Sequence, residues 1–261
     1  MAAMACEVTS PLPVLDPERS ALFLDFDGTL VNLALQPEAV QLAPGLVSLL
    51  AQWSRALHGA LALVSGRRLA DLDAFLAPLQ LPVAAEHGAE RRLANGVQQR
   101  VPRPALQRVS RVAATLARQH AGLRMEHKCS TVALHYRHAP ALEAVCLAAM
   151  SEAVLRSPGL TLLHGKYVLE AMPASVDKGQ AIAAFMVEPE FAGRQPVFVG
   201  DDATDEAGFA WVQSAGGLGL KVGPGPSIAR HRCPDPFALR QWLESGMARL
   251  QAAPINAVRL S

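Results

Sequence analysis

Aromatic residues are scarce in this chain, at 5% of 261 residues. That leaves few rings on which nucleic-acid bases could stack. Formal charge is nearly balanced, at +1, so no long-range field favours nucleic acid or an anionic membrane. The four cysteines, Cys6, Cys129, Cys146 and Cys233, form no C-x-x-C pair. The spacing of a zinc ribbon is therefore absent. A chain of this length needs no disulfide staples, and reduced thiols and a cytoplasmic location are expected. The stretch "MAAMACEVTSPLPVLDPERS" lacks the basic-then-apolar order of a signal peptide. No apolar run approaches the roughly 20 residues that span a bilayer. The expectation is a soluble protein with neither nucleic acid nor membrane as partner.

What the chain does have is apolar mass. Hydrophobic residues make up 51% and charged residues 18%, enough for a substantial core and too little charge for disorder. Residues 21–25, "ALFLD", and 60–64, "ALALV", read as strands buried on both faces, as in a parallel sheet. Leu46, Leu49, Leu50, Trp53 and Leu57 recur at helical spacing between them. A helix over 69–79 and a third strand in "LPVAAEHGAE" continue the α/β rhythm. After about residue 100 the order changes to strand–strand–helix–strand–strand, behind a helix over 104–119. That order predicts a separate antiparallel α+β unit. The α/β rhythm resumes with a helix in "DKGQAIAAFM", a strand in "QPVFVGDDATDE", a strand in "GGLGLKVG" and a last helix over 236–250. The reading is a discontinuous α/β core, 1–102 and 173–261, with a smaller unit inserted at 103–172.

Three of the expected parallel strands end in polar residues: Asp25 and Asp27, then Ser65, then Asp201 and Asp202. Ligands of open parallel sheets sit at the carboxyl ends of the strands, so these five should converge. Asp25 and Asp27 are two apart and point the same way along a strand. Like charges so placed ask for a cation between them. Carboxylates on short loops suit Mg²⁺, which keeps water and phosphate oxygens in its shell. Mg²⁺, an aspartate nucleophile and an acid/base partner together indicate phosphoryl transfer. Gly28 lets backbone N–H groups approach a phosphate, and Lys178 can supply a fixed positive charge. A calcium loop starting at Asp25 fails, with Leu30 and Gln36 where Gly and Glu are needed. The arginines at 91, 92, 100, 103, 108 and 111 read as a solvated face.

D-x-D-G-T-L at 25–30, Ser65, Lys178 and G-D-D at 200–202, in this order, resemble the haloacid dehalogenase superfamily of phosphatases. The blocks "VSGR" (64–67), "EHGAERR" (86–92), "ALHYR" (133–137), "GKYVLE" (165–170) and "VFVGDDATDEAGF" (197–209) are similar to its trehalose-6-phosphate phosphatase family. The similarity runs from about residue 20 to about 245. It implies a Rossmann-like core with an inserted α+β cap. The implied activity is Mg²⁺-dependent hydrolysis of a phosphorylated disaccharide through an aspartyl phosphate. Asp25 would be the nucleophile and Asp27 the acid/base. Ser65 and Lys178 would hold phosphoryl oxygens, with Gly28 and Gly66 beside them. The metal would lie on Asp25, the carbonyl of Asp27, Asp201 and Asp202. Glu126, Lys128, Arg137 and Glu170 are the expected sugar contacts from the cap. Arg67, His87, Asp205 and Glu206 are the candidates from the core, Asp205 also as a residue that orients Lys178. A trehalose-6-phosphate synthase would be a functional partner. Two other readings remain open. One is a phosphatase for sucrose phosphate or a glucosyl- or mannosyl-glycerate phosphate. The other is a silent binding protein.

Overall fold

The computed structural model describes residues 12–34, 39–102 and 105–252. The apolar runs form the centre of one large sheet. Strands β1 (Ser20–Leu24) and β2 (Leu61–Val64) are buried along their whole length, as two-sided burial in a parallel sheet requires. β3 (Val83–Ala85) follows β2, while β10 (Gln195–Gly200), β11 (Leu218–Val222) and β12 (His231–Cys233) extend the sheet on the other side of β1. All neighbours among these six pair parallel. Helix α1 (Leu46–Ala56) packs on the last helix, α7 (Pro236–Ala252), where the Trp53 indole donates to the Leu243 carbonyl at 3.0 Å. Between β2 and β3 runs α2 (Leu69–Leu76). Elsewhere on the sheet, α5 (Lys178–Phe185) packs beside α6 (Glu206–Ser214), and Phe23 of β1 stacks on Phe191 and tilts against Phe185.

Two short strands at the sheet's far edge depart from the expected order. β4 (Glu90–Arg92) and β5 (Gln98–Arg100) form an antiparallel hairpin on β3. The sequence signal is weak, because both strands are charged or polar and lack apolar alternation. The arginines here are also not a uniformly solvated face. Arg92 is buried, donating to the Leu81 carbonyl at 2.9 and 3.1 Å and pairing with Asp73 at 2.7 Å. Arg91 lies over the Phe185 ring and Arg100 pairs with Glu90. Arg108 and Arg111 are exposed as expected, and Arg103 lies outside the described residues.

The second sheet is antiparallel, in the order β6 (Arg124–His127), β7 (Val132–His135), β9 (Val168–Pro173), β8 (Leu160–Gly165). Helices α3 (Gln107–Gln119) and α4 (Glu143–Leu155) cover one of its faces. Val132, Leu134, Leu169 and Ala171 point into that helix-side core. The alternate residues point the other way. Glu126, Ala133 and Glu170 are register partners and form one row across the strands. Among the described residues the two sheets have separate hydrophobic cores, and Ala89, Met172 and Val176, with Val101 and Leu163 packed against them, make a small apolar cluster of their own. Among the described residues no helix is long and apolar enough to cross a membrane.

Candidate active site

The sheet brings the strand-end residues together. Asp25 extends β1, its N–H donating to the Val199 carbonyl, and Ser65 extends β2 by a bond to Ala84. Lys178 opens α5 because Asp177 caps that helix, accepting the Gln180 N–H at 2.8 Å. The buried ammonium of Lys178 donates to Asp25 at 2.8 Å and to Asp205 at 2.6 Å. The other oxygen of Asp205 accepts the N–H groups of Asp201 and Asp202 at 2.9 and 3.0 Å. Asp202 in turn accepts the Thr204 N–H at 2.7 Å, completing a capping box. Gly28 is needed where it stands: its φ is +79°, and a Cβ there would lie 2.1 Å from an Asp201 oxygen.

Charge here is unbalanced toward the negative. Carboxylate oxygens of Asp25, Asp201 and Asp205 lie within 4.8 Å of one another. Burial drives the Asp25 carboxyl well above the usual carboxylate range, and Asp205 and Asp201 add to the effect against the pull of Lys178. Burial, helped by Asp205 and Asp202, pushes Asp201 up to about 7. Lys178 goes up as well, because Asp205 and Asp25 outweigh the burial that would lower it. An oxygen-only donor set with surplus negative charge suits a hard divalent cation.

A cavity of about 300 Å³ opens above these groups, between the two sheets. It is lined from the core by Asp25, Asp27, Ser65, Gly66, Arg67 and His87, with Lys178, Asp201 and Asp202. The second sheet contributes Glu126, Lys128, Arg137 and Glu170. So 13 of the 16 residues singled out from the sequence meet in one space. The other three do not line it. Gly28 and Glu206 border a neighbouring groove, and Glu206 accepts the Ile228 N–H. Asp205 is fully buried with its oxygens turned to Lys178 and to backbone, so it cannot face a substrate. It keeps only its expected place beside Lys178.

Several partners were not legible in advance. The Arg67 guanidinium, stacked over Phe26 and Phe75, grips both oxygens of Asp27 at 2.6 and 2.7 Å. Glu170 binds Lys128 at 2.8 Å and accepts the Thr131 hydroxyl. Its carboxyl is held far below the usual range, because Lys128 and His87 overcome its burial. Glu126 pairs with His135 at 3.0 Å. Arg124, His138 and Thr204 also line the cavity. Arg124 had a usable signal, since it alternates with Glu126 and Lys128 on one strand face. The buried Lys221 donates to the backbone carbonyl of Asp201, and its place in an otherwise apolar strand was the clue.

A mostly parallel sheet covered on both faces and carrying carboxylates at its carboxyl edge, with an α+β layer inserted over it, is the fold of haloacid-dehalogenase-like hydrolases. The trehalose-phosphatase family model matches residues 23–240, and the chain belongs to that family of phosphoric monoester hydrolases. It is 41% identical over 249 residues to the trehalose-6-phosphate phosphatase of Escherichia coli, covering 94% of this chain and 93% of that one. It is 35% identical over 239 residues to a bifunctional trehalose-6-phosphate synthase/phosphatase of Thermoproteus tenax, covering 87% of this chain and 32% of that one. In fold it matches the C-terminal domain of the C. albicans trehalose-6-phosphate phosphatase with a TM-score of 0.80 at 20% identity, over 90% of this chain and 98% of that one.

Proposed function

We propose that this chain hydrolyses trehalose 6-phosphate to trehalose and phosphate, using Mg²⁺ and an aspartyl-phosphate intermediate. The observation that carries the reading is the Asp25–Lys178–Asp205 array beneath a cavity roofed by Glu126, Lys128, Arg137 and Glu170. An Asp25 oxygen bonds phosphorus as the bond to the sugar oxygen breaks, and Asp27 gives that oxygen a proton. Asp27 then takes a proton from the water that cleaves the acyl phosphate. Arg67, bonded to both oxygens of Asp27, orients that carboxyl and leaves a further lone pair on each oxygen for the reacting group. Ser65 and Lys178 hold phosphoryl oxygens. Asp25, the Asp27 carbonyl and Asp201, with Asp202 beside them, would hold Mg²⁺, which when bound would supply charge neutralisation for the phosphoryl group. Residues 103–172 act as the cap that excludes water and reads the sugar; residue 103, where that boundary falls, lies outside the described residues. The enzyme works in the cytoplasm and takes its substrate from a trehalose-6-phosphate synthase, as the joined domains of the T. tenax relative suggest.

The direct test is phosphate release from a panel of sugar phosphates, with Mg²⁺ and with chelator. Trehalose 6-phosphate should exceed the others by at least about 100-fold in kcat/KM, a gap that matched sugar hydroxyls can supply, and chelator should stop the reaction. Preference for sucrose phosphate or a glycosyl-glycerate phosphate would move the assignment to that substrate. Release of nothing would favour a binding protein.

Metal binding should also depend on pH in a defined direction. With Asp201 titrating at about 7, its carboxylate dominates above that pH and is protonated below it. A cation needs the carboxylate, so Mg²⁺ affinity falls as pH drops through 7. At pH 8, saturating Mg²⁺ should raise Tm by about 4 °C or more, and at pH 5.5 by less than half as much. Equal shifts at both pH values would remove Asp201 from the cation site.

A further inference from the structure

The turn Glu86–His87–Gly88 has an unusual backbone. Three successive residues have positive φ, at 46°, 59° and 109°, and two of them are not glycine. Such conformations persist where surrounding structure overdetermines them, and they cluster at functional places. Here the surroundings are specific. The Glu86 N–H donates to the Arg67 carbonyl and the His87 N–H to the Ser65 carbonyl, both at 2.9 Å. The turn is thereby sewn to the loop that carries Ser65 and Gly66. Its side chains reach the other way. Glu86 is fully buried, and its two oxygens accept the N–H groups of Cys129 and Ser130 at 2.9 and 2.7 Å. His87 lies 3.5 Å from Glu170. A second tie runs beside it, where Lys128 donates to the Gly66 carbonyl at 2.8 Å. Gly66 has no room for a side chain, since a Cβ would sit 2.6 Å from the His87 ring.

We infer that Glu86 is a positioning residue: its carboxylate registers the loop 128–131 of the second sheet against the phosphate-side loop 65–67, so that Lys128 and Glu170 stand over Asp25. The inference rests on the phosphatase reading above. Each layer has its own hydrophobic core, and the apolar cluster that includes Met172 and Val176 is small. Apolar contact of that kind does not fix register, whereas two charge-assisted hydrogen bonds to consecutive amides do. They also demand a carboxylate. A glutamine would turn an NH₂ toward one of the two amide donors, and an aspartate is one methylene short.

Glu86→Gln tests this with two substrates and one exchange measurement. For trehalose 6-phosphate, kcat/KM should fall about 30-fold, the scale of lost hydrogen bonds to a charged group. For p-nitrophenyl phosphate, which needs only the phosphoryl machinery, the change should stay within about 3-fold. Amide exchange should accelerate at Cys129 and Ser130, with β1 and β10 unchanged. Equal losses on both substrates, or unchanged exchange at the two amides, would overturn the inference. If the variant does not fold, exchange in the wild-type protein decides: protection at Cys129 and Ser130 matching that of β7 supports the tie, and rapid exchange overturns it. A wild-type protein that releases phosphate only from the aryl ester would refute the sugar-phosphate reading, while the exchange data would still decide whether the tie exists.

Discussion

Asp25→Asn is expected to reduce turnover by about 10⁴-fold or more, the scale seen when a nucleophile is removed, while leaving the protein at least as stable. The first half follows from chemistry, because an amide oxygen does not form an acyl phosphate under these conditions. The second half follows from electrostatics. The carboxyl is raised by burial and by Asp205 and Asp201. A carboxylic acid raised on folding favours the folded state below its unfolded value and loses that contribution as pH rises. At neutral pH its ionised form is therefore a cost. Asparagine removes the charge and can still accept the Lys178 hydrogen bond. Without added metal, Tm should stay equal or rise by about 2–4 °C. Activity near the wild-type level would dismiss Asp25 as nucleophile. A Tm lower by about 10 °C would dismiss the charge surplus.

This pairing of lost function with retained stability could not have been read from the motif. The motif showed where carboxylates converge, because parallel strands with apolar bodies and polar ends leave little freedom in topology. Asp25, Ser65 and Asp201 were legible for that reason, and Lys178 as a positive charge at a helix start. Glu126, Lys128 and Glu170 were expected from the resemblance to the family, and the structure sets them in the cavity lining, on the face of the second sheet opposite Val132 and Leu134. What stayed hidden were relations between side chains distant in sequence. Nothing in "VSGR" says that Arg67 will clasp Asp27, which lies 40 residues away. Asp205 was expected both as a substrate contact and as the residue that orients Lys178; the capping box turns it inward, and it keeps only the second place. The β4–β5 hairpin was missed because its stability comes from ion pairs such as Arg100–Glu90 and from the buried Arg92, not from apolar alternation. Positive φ at Glu86 is not announced by the residue type, and at His87 it is signalled only by the enrichment histidine shows there.

Lys178→Met separates the two halves of the argument from the other side. It should abolish turnover, since the positive charge that balances Asp25 during attack is gone, and unlike Asp25→Asn it should also damage the fold. Lys178 is the buried partner of two carboxylates, and removing it leaves both without a countercharge. Breaking a buried pair in this way costs about 3–5 kcal/mol. The cost should depend on pH with a fixed sign. Asp25 and Asp205 are already raised with the lysine present, and losing it raises them further. As pH falls they take up protons and no longer need a countercharge, so the variant recovers stability in acid. As pH rises the carboxylates ionise and the deficit reaches its full size. In the wild type the lysine, itself raised, keeps its charge throughout this range. Urea unfolding at pH 5 and pH 8 should therefore give a smaller difference from wild type at pH 5. Adding Asp205→Asn to Lys178→Met should restore part of the stability at pH 8 without restoring activity, because it removes one of the two stranded charges. A pH-independent deficit, or a double variant weaker than the single one, would mean that Lys178 supports the fold through packing and that the charge network at the sheet's edge is not what holds it.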